Sequence, residues 1–324
     1  MLDCLIIGGG PAGSTAAIYL GRFRRNISLI DGGASRAAFI PSTHNCPGFP
    51  EGISGNQLLS RLGNQASRYG ARIISGIIER LERTDDGFVA HGAGSVIACR
   101  TVLLATGIVD VVPRMAHLRD AIADGCVRLC PVCDAYDVID QTVAVVGRVS
   151  NALSHALFLR TYTPNVTVVP VDEPGALSAQ ERELANDGGI CILEHSLSDI
   201  ALTPIKSLLV TTSDAKEYEF DAAYAAMGAT IRSELALELG AACAADGTLE
   251  VDAHQRTTTP GLYAAGDVVN ALHQISVATG HAAIAASHIH NSLQETRQGE
   301  WLAPGTKSAH QPDVLIGAKR TAIG

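Results

Sequence analysis

The beginning of the chain carries the pattern that most restricts its fold. The apolar run Leu5-Ile6-Ile7 leads directly into Gly8-x-Gly10-x-x-Gly13, and Asp31 closes the next apolar run. In a strand–turn–helix unit, the first glycine allows a tight turn, the second lets backbone approach a pyrophosphate, and the third lets helix and strand pack closely. An acid at the end of the second strand can hold a ribose hydroxyl. The sequence therefore predicts a dinucleotide-binding unit rather than a bare structural turn.

Apolar runs alternate with helical stretches along the rest of the chain, which is typical of an α/β fold with parallel sheets. A second strand–glycine–helix pattern starts near residue 142, and a strand ending in Ala264-Ala265-Gly266-Asp267 follows it. We therefore expect two Rossmann-like, three-layer domains, the second inserted into a discontinuous first domain. The expected segments are 1–110 and 245–295 for the first domain, 111–244 for the inserted domain, and 296–324 for a C-terminal tail.

The periodicity also predicts individual elements. The expected strands cover residues 3–7, 27–30, 72–75, 88–90, 101–105, 142–146, 166–171 and 262–264. The expected helices cover residues 11–21, 54–69, 151–161, 176–186 and 274–293.

Composition excludes several classes of protein. The chain has 24 Lys and Arg against 33 Asp and Glu, a net charge of −9, so nucleic acid is not an expected partner. No apolar stretch is long enough to span a bilayer, and no basic segment precedes an apolar one as in a signal peptide. The eight cysteines are scattered apart from one cluster, unlike those of a small secreted scaffold. We expect a cytoplasmic protein.

That cluster is Cys126-x-x-x-Cys130-Pro131-Val132-Cys133-Asp134. A Cys-x-x-Cys pair can cycle between dithiol and disulfide, and a neighbouring carboxylate can donate and accept the proton. Zinc would need further ligands at matching spacing, and the chain has no second Cys-x-x-Cys. The full spacing also fits an iron–sulfur cluster, and three buried, inert cysteines are a further alternative.

Four motifs, taken in order along residues 1–295, resemble the low-molecular-weight thioredoxin reductase family. They are Gly8-Gly9-Gly10-Pro11-Ala12-Gly13, Ala105-Thr106-Gly107, Cys130-Pro131-Val132-Cys133-Asp134, and Gly266-Asp267 with Gln274-Ile275. The resemblance implies a homodimeric, FAD-dependent enzyme whose partner is a thioredoxin-like protein or a small dithiol. It implies that Cys133 is the thiol beside the flavin, Cys130 the exchange thiol and Asp134 the acid–base group.

The same resemblance implies a set of FAD-binding residues. The set comprises Gly8, Gly10, Pro11, Ala12, Gly13, Asp31, Gly32, Asn45, Thr106, Gly107, Gly266, Asp267, His273, Gln274 and Ile275. His273 stands where the family usually has Arg. No metal ligands are expected. Trp301, in the tail, could cover the site or lie on the surface.

The second dinucleotide motif departs from the family. Val149 occupies the position of the second glycine, where a β-branched side chain would fill the space that backbone needs near a pyrophosphate. Asp172 and Glu173 stand where NADPH-dependent members carry basic residues, and two carboxylates would repel a 2′-phosphate. The sequence therefore predicts inefficient use of NADPH.

Relatives that have lost nicotinamide use suggest other electron routes. The Cys-Pro-Val-Cys pair and the altered motif look most like the branch with a second flavin, here a second FAD in the inserted domain. A ferredoxin-type donor is another possibility. The alternatives are an NADPH-dependent thioredoxin reductase, a thiol oxidase that passes electrons to oxygen and, outside the class, a non-catalytic nucleotide-binding sensor.

Overall fold

The computed structural model describes residues 1–175, 177–269 and 272–295. In chain order the strands are β1 (Leu2–Ile7), β2 (Ile27–Asp31), β3 (Arg72–Ser75), β4 (Ile78–Thr84), β5 (Gly87–Gly92), β6 (Ser95–Leu104), β7 (Ile108–Asp110), β8 (Val127–Arg128), β9 (Val143–Gly147), β10 (Val166–Pro170), β11 (Cys191–Ile192), β12 (Leu197–Leu202), β13 (Leu208–Thr212), β14 (Glu217–Phe220), β15 (Ala222–Ala226), β16 (Ala229–Ile231) and β17 (Leu262–Ala264). The helices are α1 (Pro11–Arg22), α2 (Gly55–Arg68), α3 (Leu118–Ala123), α4 (Pro131–Asp134), α5 (Val149–Leu159), α6 (Ala179–Gly188), α7 (Glu234–Leu237) and α8 (Ile275–Glu295).

The first sheet has the strand order β3-β2-β1-β6-β5-β4, with β17 also paired to β6. The long strand β6 serves two neighbours, because its first half pairs antiparallel with β5 and its last residues, Val102 to Leu104, pair parallel with β17. Strands β1 and β2 run parallel to these last residues. The loops that follow β1, β6 and β17 therefore leave the sheet at the same edge.

The second sheet has the order β11-β10-β9-β15-β8 and is parallel throughout the described residues. Its strands lie in the chain between β6 and β17, so the predicted α/β fold with an inserted domain is confirmed. An antiparallel ribbon of β7 and β16 accompanies the two chain crossings. The domain boundaries near residues 110 and 244 stay predictions.

Small side chains let α1 and α8 pack closely on the first sheet. Ala16 and Ala17 of α1 and Ala282, Ala285 and Ala286 of α8 are all fully buried in one cluster. At the start of α1, a Cβ on Gly13 would lie 1.8 Å from the carbonyl oxygen of Gly8. Only glycine fits here, and this close approach fixes the position of the helix N-terminus above β1.

Helix α6 starts later than the expected 176–186. Ser178 accepts a hydrogen bond from the backbone N–H of Glu181, whose carboxylate accepts one from the backbone N–H of Ser178. This capping box fixes the start of the helix at Ala179.

Residue 176 lies outside the described residues, as does the expected tail with Trp301. Within the described ranges, no helix is both long enough and apolar enough to cross a bilayer.

We expect Gly13→Ala to lower the free energy of unfolding by about 1–3 kcal/mol, because overpacked contacts cost this much. The measurement is urea unfolding followed by circular dichroism. The matched control is Gly63→Ala in α2, where a Cβ would find only Ile73 Cδ1 at 3.8 Å. This control should gain up to about 1 kcal/mol from helix propensity. Equal stability of the Gly13 variant and the native chain would contradict the close contact.

Candidate active site

One cavity of about 710 Å³ joins the edge of the first sheet to the disulfide-bearing segment. Its volume lies within the range of small-molecule sites, roughly 300–1,000 Å³. Fourteen of the fifteen residues predicted to bind a cofactor line it: Gly8, Gly10, Pro11, Ala12, Asp31, Gly32, Asn45, Thr106, Gly107, Gly266, Asp267, His273, Gln274 and Ile275. The fifteenth, Gly13, lies behind the loop and packs against Gly8. Cys130, Cys133 and Asp134 line the same cavity.

The N-terminus of α1 opens into this cavity. The N-cap residue, Gly10, provides no side-chain cap, and a Cβ on it would meet only Ser35 Oγ at 3.3 Å. Gly8 has φ +111°, and a Cβ on it would lie 2.2 Å from the carbonyl oxygen of Ala105. The uncapped N–H groups and the helix dipole make this end suited to an anion such as a pyrophosphate. Asp31 stands at the neighbouring strand end, where it accepts a hydrogen bond from Gly33 N at 2.9 Å.

A half-buried arginine that no sequence motif predicted lines the same cavity. Arg36 donates to both oxygens of Asp110, at 2.7 and 2.9 Å, and lies 3.5 Å from Asp267 Oδ2. Burial raises the pKa of Asp267, while the charges of His273 and Arg36 act against that shift. A lone basic residue five positions after Asp31 has no motif, so its partners become visible only in the fold.

The Cys130–Cys133 disulfide lies at the start of α4, with an S–S distance of 2.03 Å. Gln274, just before α8, donates from Nε2 to both sulfurs, at 3.4 and 3.3 Å. Asn45 donates to Gln274 Oε1 at 2.9 Å and to the Val132 carbonyl at 3.4 Å. These contacts hold the disulfide of the inserted domain against residues of the first domain.

Cys126 takes no part in the disulfide. It is a buried free thiol whose Sγ lies 3.3 Å from the carbonyl oxygen of Lys206, and burial raises its pKa. A raised pKa keeps this thiol protonated and unreactive. Of the three clustered cysteines, the fold therefore pairs only Cys130 with Cys133.

Asp134 follows the disulfide directly and has a partner on each oxygen. Tyr224 donates to Oδ1 at 2.8 Å, and Arg128 Nη1 lies 3.1 Å from Oδ2. Burial raises the pKa of Asp134, and the charge of Arg128 and these hydrogen bonds only partly counteract it. Burial likewise raises the pKa of Tyr224, so its hydroxyl remains a donor. The sequence predicted Asp134 but neither of its partners.

The second strand–glycine–helix unit has a different surface. Arg148, the residue that precedes α5, extends its side chain to Asp172 beyond the end of β10, with Nε 3.1 Å from Oδ2. Val149 is the first residue of the helix. Glu173 accepts hydrogen bonds from Ser196 and Ser213, which lower its pKa and keep it ionised. Both predicted carboxylates therefore follow β10, but only Asp172 contacts the residue before α5, whereas Glu173 contacts Ser196 and Ser213.

Comparisons with known proteins agree with this architecture. The family model described as pyridine nucleotide-disulphide oxidoreductase matches residues 2–282. A thioredoxin reductase of Streptomyces coelicolor is 29% identical over 282 residues, covering 83% of this chain and 86% of the relative. A solved thioredoxin reductase from Streptococcus pyogenes has a TM-score of 0.82 at 28% identity and covers 91% of this chain and 99% of its own.

The atypical thioredoxin reductase TRi from Desulfovibrio vulgaris is 30% identical, covers 91% of this chain and 99% of its own, and has a TM-score of 0.52. These likenesses extend over both sheets and the disulfide segment. The chain belongs to the pyridine nucleotide-disulphide oxidoreductase family.

Proposed function

We propose that this chain is an FAD-dependent thiol–disulfide oxidoreductase of thioredoxin-reductase type. One observation carries the proposal: the dinucleotide-binding loop and the Cys130–Cys133 disulfide line a single cavity, and Gln274 donates to both sulfurs from the start of α8. A bound redox cofactor in that cavity would share it with the disulfide. The names of the thioredoxin reductases among its relatives support the same activity.

The residues present fit FAD. The uncapped start of α1 would hold the pyrophosphate, and Asp31 would hold the ribose of the adenosine half. Asp267 would reach the ribityl chain, and the N-terminus of α8 at Ile275 would face the ring, where its dipole favours negative charge. Bound FAD supplies two-electron chemistry with the disulfide. The electron partner would be a thioredoxin-like protein or a small dithiol.

In the exchange step, Cys130 attacks the partner and Cys133 resolves the mixed disulfide. Asp134 gives the proton to the leaving sulfur, a role that suits a carboxyl whose pKa burial has raised. In the disulfide-reducing direction, this proton donation weakens as the pH rises through that pKa.

We propose that the electron donor to the flavin is not NADPH. Val149 brings a branched side chain to the position where backbone must approach a pyrophosphate, and the Arg148–Asp172 ion pair lies beside it. Asp172 and Glu173 present negative charge where a 2′-phosphate would bind. A second FAD in the inserted domain stays a prediction. The alternative, an NADPH-dependent thioredoxin reductase, is supported by the family's description, which names a pyridine nucleotide. The homodimer, the cytoplasmic location and a ferredoxin-type donor stay predictions.

We expect Cys133→Ser to retain bound FAD and to lose reduction of the flavin by dithiothreitol, because the chain can no longer form its disulfide. The measurement is anaerobic bleaching of flavin absorbance. The control is Cys191→Ser, which removes an exposed free thiol and should behave as the native protein does. Undiminished reduction in the Cys133 variant would exclude this cysteine from the electron path. A protein that is colourless and binds no added FAD would refute the proposed function.

We expect stoichiometric NADPH to bleach the flavin slowly or not at all under anaerobic conditions. Val149 restricts the approach of backbone to a pyrophosphate, and Asp172 and Glu173 would repel a 2′-phosphate. The same sample, assayed for FAD per polypeptide, decides between one flavin and two. Parallel titrations with NADH and with reduced ferredoxin test the other donors, and rapid oxygen consumption with a dithiol would identify a thiol oxidase. Fast bleaching by NADPH would establish the NADPH-dependent alternative.

The variant Arg148→Gly/Val149→Gly/Asp172→Arg tests the cause directly, because it restores the second glycine of the motif, removes the Arg148 side chain beside it and reverses the charge at the end of β10. It should be reduced by NADPH faster than the native protein, while its reduction by dithiothreitol stays unchanged. If the triple variant gains nothing, these three residues are not what limits NADPH.

A further inference from the structure

Asp134 is held by a pair of residues that the second sheet itself aligns. Arg128 on β8 and Tyr224 on β15 are register partners in adjacent parallel strands. Register partners present their side chains on the same face of a sheet. Both side chains reach Asp134 from that face, one at each carboxylate oxygen.

Arg128 faces two carboxylates. Its Nη1 lies 3.1 Å from Asp134 Oδ2 and 3.5 Å from Asp137 Oδ2, and its side chain is only 14% exposed. A guanidinium keeps its charge at every pH at which the protein is folded. The local balance is therefore one fixed positive charge against two carboxyl groups, of which Asp134 is the more buried.

The arrangement is not one that packing alone would select. Arg128 Nε is buried and has no hydrogen-bond partner among the described residues. An unsatisfied buried donor costs free energy, whereas an apolar residue in its place would not. Arg128 also lines the cavity that holds Cys130, Cys133 and Asp134. The side chain is thus placed where its charge acts on the group beside the disulfide.

We propose that Arg128 is a positioning residue for the thiol chemistry: it orients the Asp134 carboxyl group and sets the pH range over which that group exchanges a proton with the reacting sulfurs. This inference rests on the proposed function. Tyr224 fixes the second oxygen, so the carboxyl group cannot rotate away. Asp137 competes with Asp134 for the same guanidinium and weakens its effect.

The proton balance explains why such a residue matters. When the Cys130 thiolate attacks a partner disulfide, a bond forms between Cys130 and one partner sulfur. The bond within the partner breaks, and its electron pair leaves on the other sulfur, which takes the proton of Asp134. Asp134 is then a carboxylate in a buried site, and Arg128 stabilises that charge. In the reverse direction, the carboxylate recovers the proton.

The sign of the effect follows from these contacts. The groups that act on Asp134 are Arg128 from β8, Tyr224 from β15 and Asp137 from the turn after α4, with the two cysteines on its own segment. Removing the cation destabilises the carboxylate, so Asp134 stays protonated to higher pH. An opposite charge at this distance typically moves a carboxyl titration by roughly 1–3 pH units. Removing the Asp137 charge has the opposite sign.

The test is an infrared titration of the oxidised holoenzyme, in which the band of the protonated Asp134 carboxyl is identified by its loss in Asp134→Asn. In Arg128→Met the band should persist to a pH higher by roughly 1–3 units. Arg128→Lys, which keeps the charge, should titrate near the native pH, and Asp137→Asn should titrate below it. Coincident titrations of Arg128→Met and the native protein would overturn the proposal.

A second readout is the rate of flavin reduction by dithiothreitol against pH, measured anaerobically by stopped flow. The profile of Arg128→Met should move to higher pH, with Arg128→Lys restoring it, whereas a merely structural arginine would change stability and leave the profile in place. If Arg128→Met does not fold, Asp137→Asn decides: a downward shift supports the proposal and an unchanged titration overturns it. If dithiothreitol cannot reduce the flavin of the native protein, the proposed function is refuted. The infrared titration then still tests whether Arg128 acts on the Asp134 carboxyl group.

Discussion

The parallel pairing of β6 with β1 on one side and β17 on the other is the constraint on which the candidate site depends. Strands β1 and β17 lie far apart in the chain, yet their registers align Ile7 and Ala264 with the same residue of β6, Leu104. Their following loops therefore emerge together, bringing the glycine turn at Gly8 beside Gly266 and Asp267. Because the paired residues of all three strands are buried, a slip in register would expose apolar side chains, and so the core itself fixes the geometry of the loops.

Two half-buried arginines that line the cavity each face a pair of carboxyl groups. Arg36 faces Asp110 and Asp267 in the first domain, and Arg128 faces Asp134 and Asp137 in the inserted domain. In each set, one permanent cation serves two carboxyl groups, so neither set is neutral when both are ionised. A carboxyl group in such a set has a proton affinity sensitive to any new charge nearby. The proposed thiol–disulfide exchange includes a proton transfer to the leaving sulfur, so this sensitivity bears on its rate.

The sequence was informative where a pattern is local. The glycine turn, the Cys-x-x-Cys pair and helices such as α1 and α8 follow from spacing and periodicity, and their observed bounds differ from the expected ones by a residue or two. The antiparallel strands β12, β13 and β14 were missed, because β12 and β14 carry exposed polar residues and the apolar run of β13 is only three residues long. Strand β4, Ile-Glu-Arg-Leu-Glu-Arg-Thr, was missed because its charged residues lie on an open face. Arg128 and Tyr224 could not be paired from sequence, because ninety-odd residues separate them and only sheet register brings them together.

The two dinucleotide motifs of this chain show that a motif glycine can be required by the fold or by a ligand. In the second motif Gly147 is present, and a Cβ on it would lie 2.3 Å from the carbonyl oxygen of Ala226, so the sheet itself requires it. The position of the second glycine carries Val149 instead, and the residue before it is Arg148. The Arg148–Asp172 ion pair is largely exposed, and such pairs contribute only about 0–1 kcal/mol. Stability therefore does not account for Arg148 and Asp172, whose consequence lies in the charge of the surface that a nucleotide would meet, whereas Val149 also packs against the core of the inserted domain.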